Sequence, residues 1–107
     1  MAYLVTVPQA GQTMEEATVD AWYKEVGDPI EIGDVLVDVH SDKAVVSVES
    51  FYVGTLRERL VSTGDLVRVL DPVAVVAQSG EEYDLPGLIE KHEEWVKANA
   101  WHLFEGG

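Results

Sequence analysis

From Tyr3 to Ala77 the chain is made of short stretches in which apolar and polar residues alternate, broken every few positions by Gly, Asp, Pro or Ser. A period of two sends successive side chains to opposite faces of a strand. On this basis Tyr3–Val7, Ala17–Val26, Val35–Val39, Ala44–Glu49, Thr55–Val61, Leu66–Val69 and Val73–Ala77 are predicted strands, with Trp22 the main core residue of the second. Pro8 ends the first strand, and residues 8–16 follow as a polar surface loop. Gly27-Asp28-Pro29 and Gly33-Asp34 are turns that draw on glycine's backbone freedom. Strands this short, so often interrupted, predict an all-β sandwich or barrel.

After Gln78 the period changes. Ser79-Gly80-Glu81-Glu82 is a polar break, Asp84 is a helix cap and Pro86 suits a first helical turn. Leu88, Ile89, Trp95, Val96, Ala100 and Leu103 then recur near helical spacing, predicting a helix from Asp84 to about Phe104. The boundaries expected are therefore a β domain over residues 1–80 and a helical extension over 81–107.

The alternation also repeats. Moving residues 17–39 along by 37 positions lays them on 54–76. Thr18 then meets Thr55, Gly27 meets Gly64, Asp28 meets Asp65, Asp34 meets Asp71 and Val39 meets Val76. The apolar pairs Val19/Leu56, Ile30/Val67, Ile32/Val69 and Leu36/Val73 keep the same phase. Two copies are too few for a solenoid and predict two similar halves, each burying its apolar face against the other.

Between two predicted strands lies the tripeptide Ser41-Asp42-Lys43. So short a polar break makes a tight hairpin with its central side chains exposed. A lysine there is within reach of a modifying enzyme. Taken alone, the same pattern also describes a solubilising lysine beside a turn-forming aspartate.

Gly11-Gln12-Thr13-Met14-Glu15-Glu16-Ala17-Thr18-Val19, Trp22-Tyr23-Lys24-Glu25-Val26-Gly27-Asp28, Gly33-Asp34-Val35-Leu36, Ser41-Asp42-Lys43-Ala44 and Ser50-Phe51-Tyr52-Val53-Gly54-Thr55-Leu56 come in that order. Gly54 follows Lys43 by eleven residues. In this order and spacing the chain resembles the lipoyl domain of 2-oxo-acid dehydrogenase complexes, within the biotinyl/lipoyl attachment family, over about residues 3–78. The resemblance implies a flattened barrel of two four-stranded antiparallel sheets related by a pseudo-twofold axis, here followed by a C-terminal α-helix. It implies lipoic acid in amide linkage on Lys43, with Asp42 and Ala44 as flanks read by the lipoylating enzyme. It further implies that Gln9, Ala10, Gly11 and Gln12 contribute to recognition by a 2-oxo-acid decarboxylase. The other implied partners are an acyltransferase and a dihydrolipoamide dehydrogenase, between which a swinging arm shuttles acyl groups. The implied setting is cytoplasmic, or the mitochondrial matrix in a eukaryote.

The chain departs from the family in places. His40 stands where many lipoyl domains carry an acidic residue, and Phe51 where many carry proline. Ser41, and Tyr52 before Val53-Gly54, lean towards the branched-chain type of complex. The family's subunit-binding and acyltransferase domains do not follow, and a helical tail in place of an Ala/Pro-rich linker favours a free-standing protein over an excised fragment. The pseudo-twofold makes Gly80 the counterpart of Lys43 at the opposite end of the barrel, so the helix is expected to start far from the lysine. It is expected to pack on its own barrel. Trp95, Trp101 and Phe104 make docking to a partner or a second copy the alternative.

Composition narrows the chemistry. A chain of 107 residues suits one small domain. Cysteine is absent, which excludes disulfides, thiolate metal sites and cysteine nucleophiles. Seven basic against twenty acidic residues give a net charge of −13, which opposes binding to nucleic acid or an anionic membrane and suits basic patches on partner enzymes. No apolar run reaches membrane-spanning length. The histidines are His40, His92 and His102, and no nucleophile elbow accompanies them. His40, Asp38 and Asp42 lack a recognised metal-ligand spacing, and no glycine-rich phosphate loop is present. A carrier is expected, not an enzyme. The alternatives are a biotin carrier, whose usual flanking methionines are replaced here by Asp42 and Ala44, and an unmodified interaction module using the aromatic helix.

Overall fold

The alternating segments form strands close to the expected places, in a computed structural model that describes residues 1–8, 16–42 and 44–99. In chain order they are β1 (Tyr3–Thr6), β2 (Glu16–Trp22), β3 (Pro29–Ile30), β4 (Val35–His40), β5 (Val45–Glu49), β6 (Gly54–Arg59), β7 (Leu66–Arg68) and β8 (Pro72–Ala77), followed by the helix α1 (Leu85–Asn99). They assemble into two four-stranded antiparallel sheets, β1-β8-β6-β3 and β5-β4-β2-β7. The short β3 is absent from the sequence-based strands, although the repeat places Ile30 on Val67 of β7.

The repeat is a pseudo-twofold. Exchanging β1 with β5, β8 with β4, β6 with β2 and β3 with β7 converts one sheet order into the other. The hydrogen bonds follow the exchange. Gly27 N–H donates to Leu56 O and Gly64 N–H to Val19 O, both at 2.8 Å. Asp28, Asp34, Asp65 and Asp71 each accept, through Oδ2, the backbone N–H three residues earlier, at 2.8–2.9 Å. Such Asx geometry closes a turn locally and explains why the repeat keeps these aspartates. Between the sheets, Val5, Val7, Ala17, Val19, Ile30, Leu36, Val37, Val39, Val48, Leu56, Val67, Val73, Ala74 and Val76 form the core.

Trp22 is not the core residue expected. It is half-buried, donates its indole N–H to Val61 O at 3.2 Å and lies under the Arg59 guanidinium, 5.0 Å from the ring. An indole N–H needs an acceptor, which holds the ring where a loop carbonyl is available. The core residues of β2 are Ala17 and Val19. The strand also ends at Trp22, short of Val26, because the chain then turns towards the other sheet through Gly27 (φ 100°).

The tail closes one face of the barrel. Leu4, Val75 and Glu58 are cross-strand partners and therefore share a face. Tyr83 donates its hydroxyl proton to Glu58 on that face, and Arg57 donates to Gln78 O and Glu81 O, both at 2.8 Å. Val69, Val75 and Ala77 are fully buried yet lie outside the inter-sheet core. Asp84 caps the helix, its carbonyl accepting from Leu88 N–H at 2.9 Å and its carboxylate filling the space beside Gly87. Leu85, Leu88, Ile89, His92 and Val96 form a half-buried stripe at helical spacing. Asn99 donates its side-chain amide to Trp95 O at 3.0 Å, satisfying a carbonyl of the last turn. The helix therefore packs on its own barrel; Trp95 remains 52% exposed, and Trp101 and Phe104 lie outside the described residues.

Candidate attachment hairpin

β4 and β5 pair from Val35↔Glu49 to His40↔Val45. Beyond them Ser41 N–H donates to Ala44 O at 2.8 Å, with Ser41 Oγ 3.4 Å from the same oxygen. This closes the stem and leaves two positions between, the geometry of a two-residue hairpin loop. Asp42 and Ala44 are exposed, while Val37, Val39 and Val48 anchor the arms in the core. Lys43 lies outside the described residues, as do Gln9, Ala10, Gly11 and Gln12.

On the outward face of the arms, three polar side chains are tied together. Tyr23 Oη–H and Ser47 Oγ–H both donate to the Asp38 carboxylate, the second at 2.8 Å. The Tyr23 pKa is raised, first by its bond to Asp38, then by desolvation and by the charges of Asp38 and Asp20. His40, which has Asp38 and Asp42 near it in sequence, has Nδ1 3.9 Å from Asp20 Oδ1. Among the described residues no three His, Asp or Glu side chains gather closely enough to hold a metal ion.

Gly54 gains a physical reason. A Cβ at this position would sit 2.9 Å from Ala77 O, so β6 can pass β8 this closely only with glycine.

Strand register decides what shares an end with the hairpin. His40 pairs with Thr18, Thr18 with Leu66, and Glu16 with Arg68. The Leu70-Asp71 turn follows β7 and bonds both ways to Val7: Leu70 N–H donates to Val7 O at 2.8 Å and Val7 N–H to Asp71 O at 3.0 Å. The opposite end holds the Gly33-Asp34 turn and the Gln78–Glu81 turn, where the N-terminal ammonium donates to Glu81 Oε1 at 2.9 Å. That bond, before any other cause, lowers the Glu81 pKa. The helix thus starts at the end away from the hairpin, as the repeat implied. Sequence reasoning missed where it goes: His92 and Val96 meet Arg68–Pro72 at the hairpin end. The available signal was the repeat itself, which places Leu70 where its other copy has Gly33.

With this geometry in hand, comparisons with known proteins agree. The biotin/lipoyl family pattern, described as that of biotin-requiring enzymes, matches residues 4–76. The chain belongs to the biotinyl/lipoyl attachment family. It is 38% identical over 74 residues to the dihydrolipoyllysine-residue succinyltransferase component of the 2-oxoglutarate dehydrogenase complex of Staphylococcus saprophyticus, covering 69% of this chain and 18% of that protein. It is also 38% identical over 78 residues to the pyruvate dehydrogenase E1 component subunit beta of Rhizobium meliloti, covering 72% of this chain and 17% of that one. The chain thus spans less than a fifth of the length of these two relatives. The solution structure of the lipoyl domain of the Azotobacter vinelandii 2-oxoglutarate dehydrogenase complex shares the fold, with a TM-score of 0.54 at 21% identity over 69% of this chain and 96% of that domain. A domain of this kind is typically a carrier and not a catalyst.

Proposed function

We propose that Lys43 carries lipoic acid in amide linkage and that the barrel is the swinging-arm carrier of a 2-oxo-acid dehydrogenase complex. The observation that bears most weight is the Ser41–Ala44 closure, which leaves only Asp42 and Lys43 between bonded positions on a core-anchored hairpin. Asp42 and Ala44, both exposed, are the flanks a lipoylating enzyme would read. Both quoted relatives belong to such complexes, and one is named for its dihydrolipoyllysine residue.

Bound there, the group would supply the redox and acyl-transfer chemistry, which the protein itself lacks. The chain contributes position. The core-anchored arms of β4 and β5 meet at one end of the barrel, and tethering would raise the effective concentration of the group at each partner site. Those sites would be a 2-oxo-acid decarboxylase, recognising residues 9–12, an acyltransferase and a dihydrolipoamide dehydrogenase. A second reading, biotin on the same lysine, is favoured by the family's description as biotin-requiring enzymes. Asp42 and Ala44 in place of methionines weigh against it.

The deciding measurement is the intact mass of the protein from its own cells, with peptide mapping. A lipoyl increment on Lys43, absent in Lys43→Arg, is expected. A biotin increment would replace the proposal with carboxyl transfer, and no increment in cells that lipoylate other proteins would end the carrier reading.

A further inference from the structure

Two equivalent turns of the barrel are built alike and covered differently. Gly33 (φ 91°) and Leu70 (φ 73°) hold the same place in the repeat, as do Ile32 and Val69, and Glu31 and Arg68. Over the second turn α1 brings His92, Glu93 and Val96 to a groove of about 250 Å³ that Arg68 and Val69 also line. His92 ties the helix down, its Nε2 lying 2.7 Å from Leu70 O. Among the described residues no helix lies over the first turn, and Ile32 is 67% exposed.

Ile32 has apolar neighbours in the same state. Ile30 pairs with Gly54, and Gly33 N–H donates to Ser50 O at 2.8 Å, so Glu31-Ile32 runs beside Phe51-Tyr52-Val53. Phe51 is 73% exposed and Val53 59%. The bend that carries them is stiff. The buried Ser50 donates its Oγ–H to Tyr52 O at 2.8 Å and accepts Tyr52 N–H at 3.0 Å, while the Tyr52 ring stacks on Tyr3 at 4.0 Å. Single exposed apolar side chains are ordinary, whereas three on adjoining, hydrogen-bonded segments mark a contact surface. Its rim is acidic. Glu31 and Glu49 are exposed, and neither forms an ion pair among the described residues; Lys24 lies 4.0 Å from Asp34.

We propose that this end of the barrel docks a basic amphipathic helix of a partner protein. The covered turn supplies the pattern, with Val69 beneath a helix whose Glu93 shares a groove with Arg68. In the open turn Glu31 replaces Arg68, so the matching helix carries a base where α1 has Glu93. Ile32, Phe51 and Val53 meet its apolar face. A second copy of this chain fits poorly, because two molecules of charge −13 would bring like rims together. A bend already fixed loses little freedom on binding. The surface lies away from the Ser41–Ala44 hairpin, so a helix docked there leaves that end open whatever Lys43 carries.

The test titrates the isotope-labelled full chain with a synthetic Lys/Leu peptide whose leucines line one helical face. The controls are a peptide of the same composition with its leucines scattered, and a Glu/Leu analogue. Amide resonances of Ile32, Phe51, Tyr52 and Val53 are expected to move while those of Val45 and Ser47 stay, and affinity should fall as salt rises. Phe51→Ser should weaken binding about tenfold. Glu31→Arg should weaken it about threefold. Urea midpoints should hold in both variants, because both side chains are exposed. The proposal is overturned if either control peptide binds as well, if other resonances move instead, or if Phe51→Ser binds like the parent. Sedimentation of the chain alone should show a monomer; a dimer that Phe51→Ser dissolves would make the occupant a second copy and overturn the proposal.

Discussion

Equivalent positions in the two halves of the barrel show what the tail does. Ile32 is 67% exposed and its counterpart Val69 is 2% exposed, although both are apolar and in phase. Asp38 and His40 face outwards on β4, where the counterparts on β8 are the buried Val75 and Ala77. The cross-strand row Leu4–Val75–Glu58 is matched in the other sheet by Ser47–Asp38–Ala21, with Tyr23 and Ser47 bound to Asp38. The halves share a scaffold and differ in what covers them. Tyr83 and α1 lie over one sheet, making it a middle layer buried on both sides, while the sheet that carries the hairpin keeps its outer face in water. A two-sided strand reads as a continuous apolar run, a one-sided strand as an alternation, and β8 and β4 show each pattern.

Exchanging the outward residues tests this most severely. Val75→Asp would bury an unpaired carboxylate under the tail and should cost about 3–5 kcal/mol, or release the helix. Asp38→Val, the reverse change on the open sheet, removes hydrogen bonds that water can replace and should stay within about 1 kcal/mol. Urea midpoints would check both, and equal losses would break the comparison.

The repeat sets Gly54 where its other copy has Ala17, and a Cβ at Gly54 would sit 2.9 Å from Ala77 O. Gly54→Ala should therefore destabilise by about 1–3 kcal/mol as β6 and β8 are forced apart. Somewhat less is expected at Gly33, whose Cβ would meet nothing within 4 Å, so only backbone strain counts. Gly33→Leu, imitating Leu70 without a helix to pack on, should cost about 1–2 kcal/mol in thermal or urea unfolding.

The smallest effect expected is one of pH. Burial, then the bond to Glu58, pushes Tyr83 up to about 12. A raised pKa means the folded state holds the proton more tightly. Its contribution is complete below the ordinary tyrosine range near 10 and is lost as pH rises through about 12. Between those values the parent should lose stability faster than Tyr83→Phe, as read by tail fluorescence or unfolding midpoints.

Much of this was legible in the residues. The alternation located most strands within a few positions, the repeat gave the pairing of halves, and Ser41-Asp42-Lys43 marked the hairpin. The order of motifs indicated the family before any comparison. β3 was too short for a period of two to show, although its counterpart β7 pointed to it. Trp22 misled because size suggested burial, whereas its N–H required an acceptor at Val61.

What the sequence determined by itself was local: which residues alternate, where Asp and Gly turn the chain, and where Ser41-Asp42-Lys43 interrupts two strands. These depend on neighbours a few positions apart. Only the tertiary structure decided that Ile32 is wet and Val69 dry, that the helix runs from the far end of the barrel back to the hairpin end, and that His92 meets Leu70 O. Each follows from surfaces contributed by residues distant in sequence. Periodicity tells a residue's face, but not what will come to cover it.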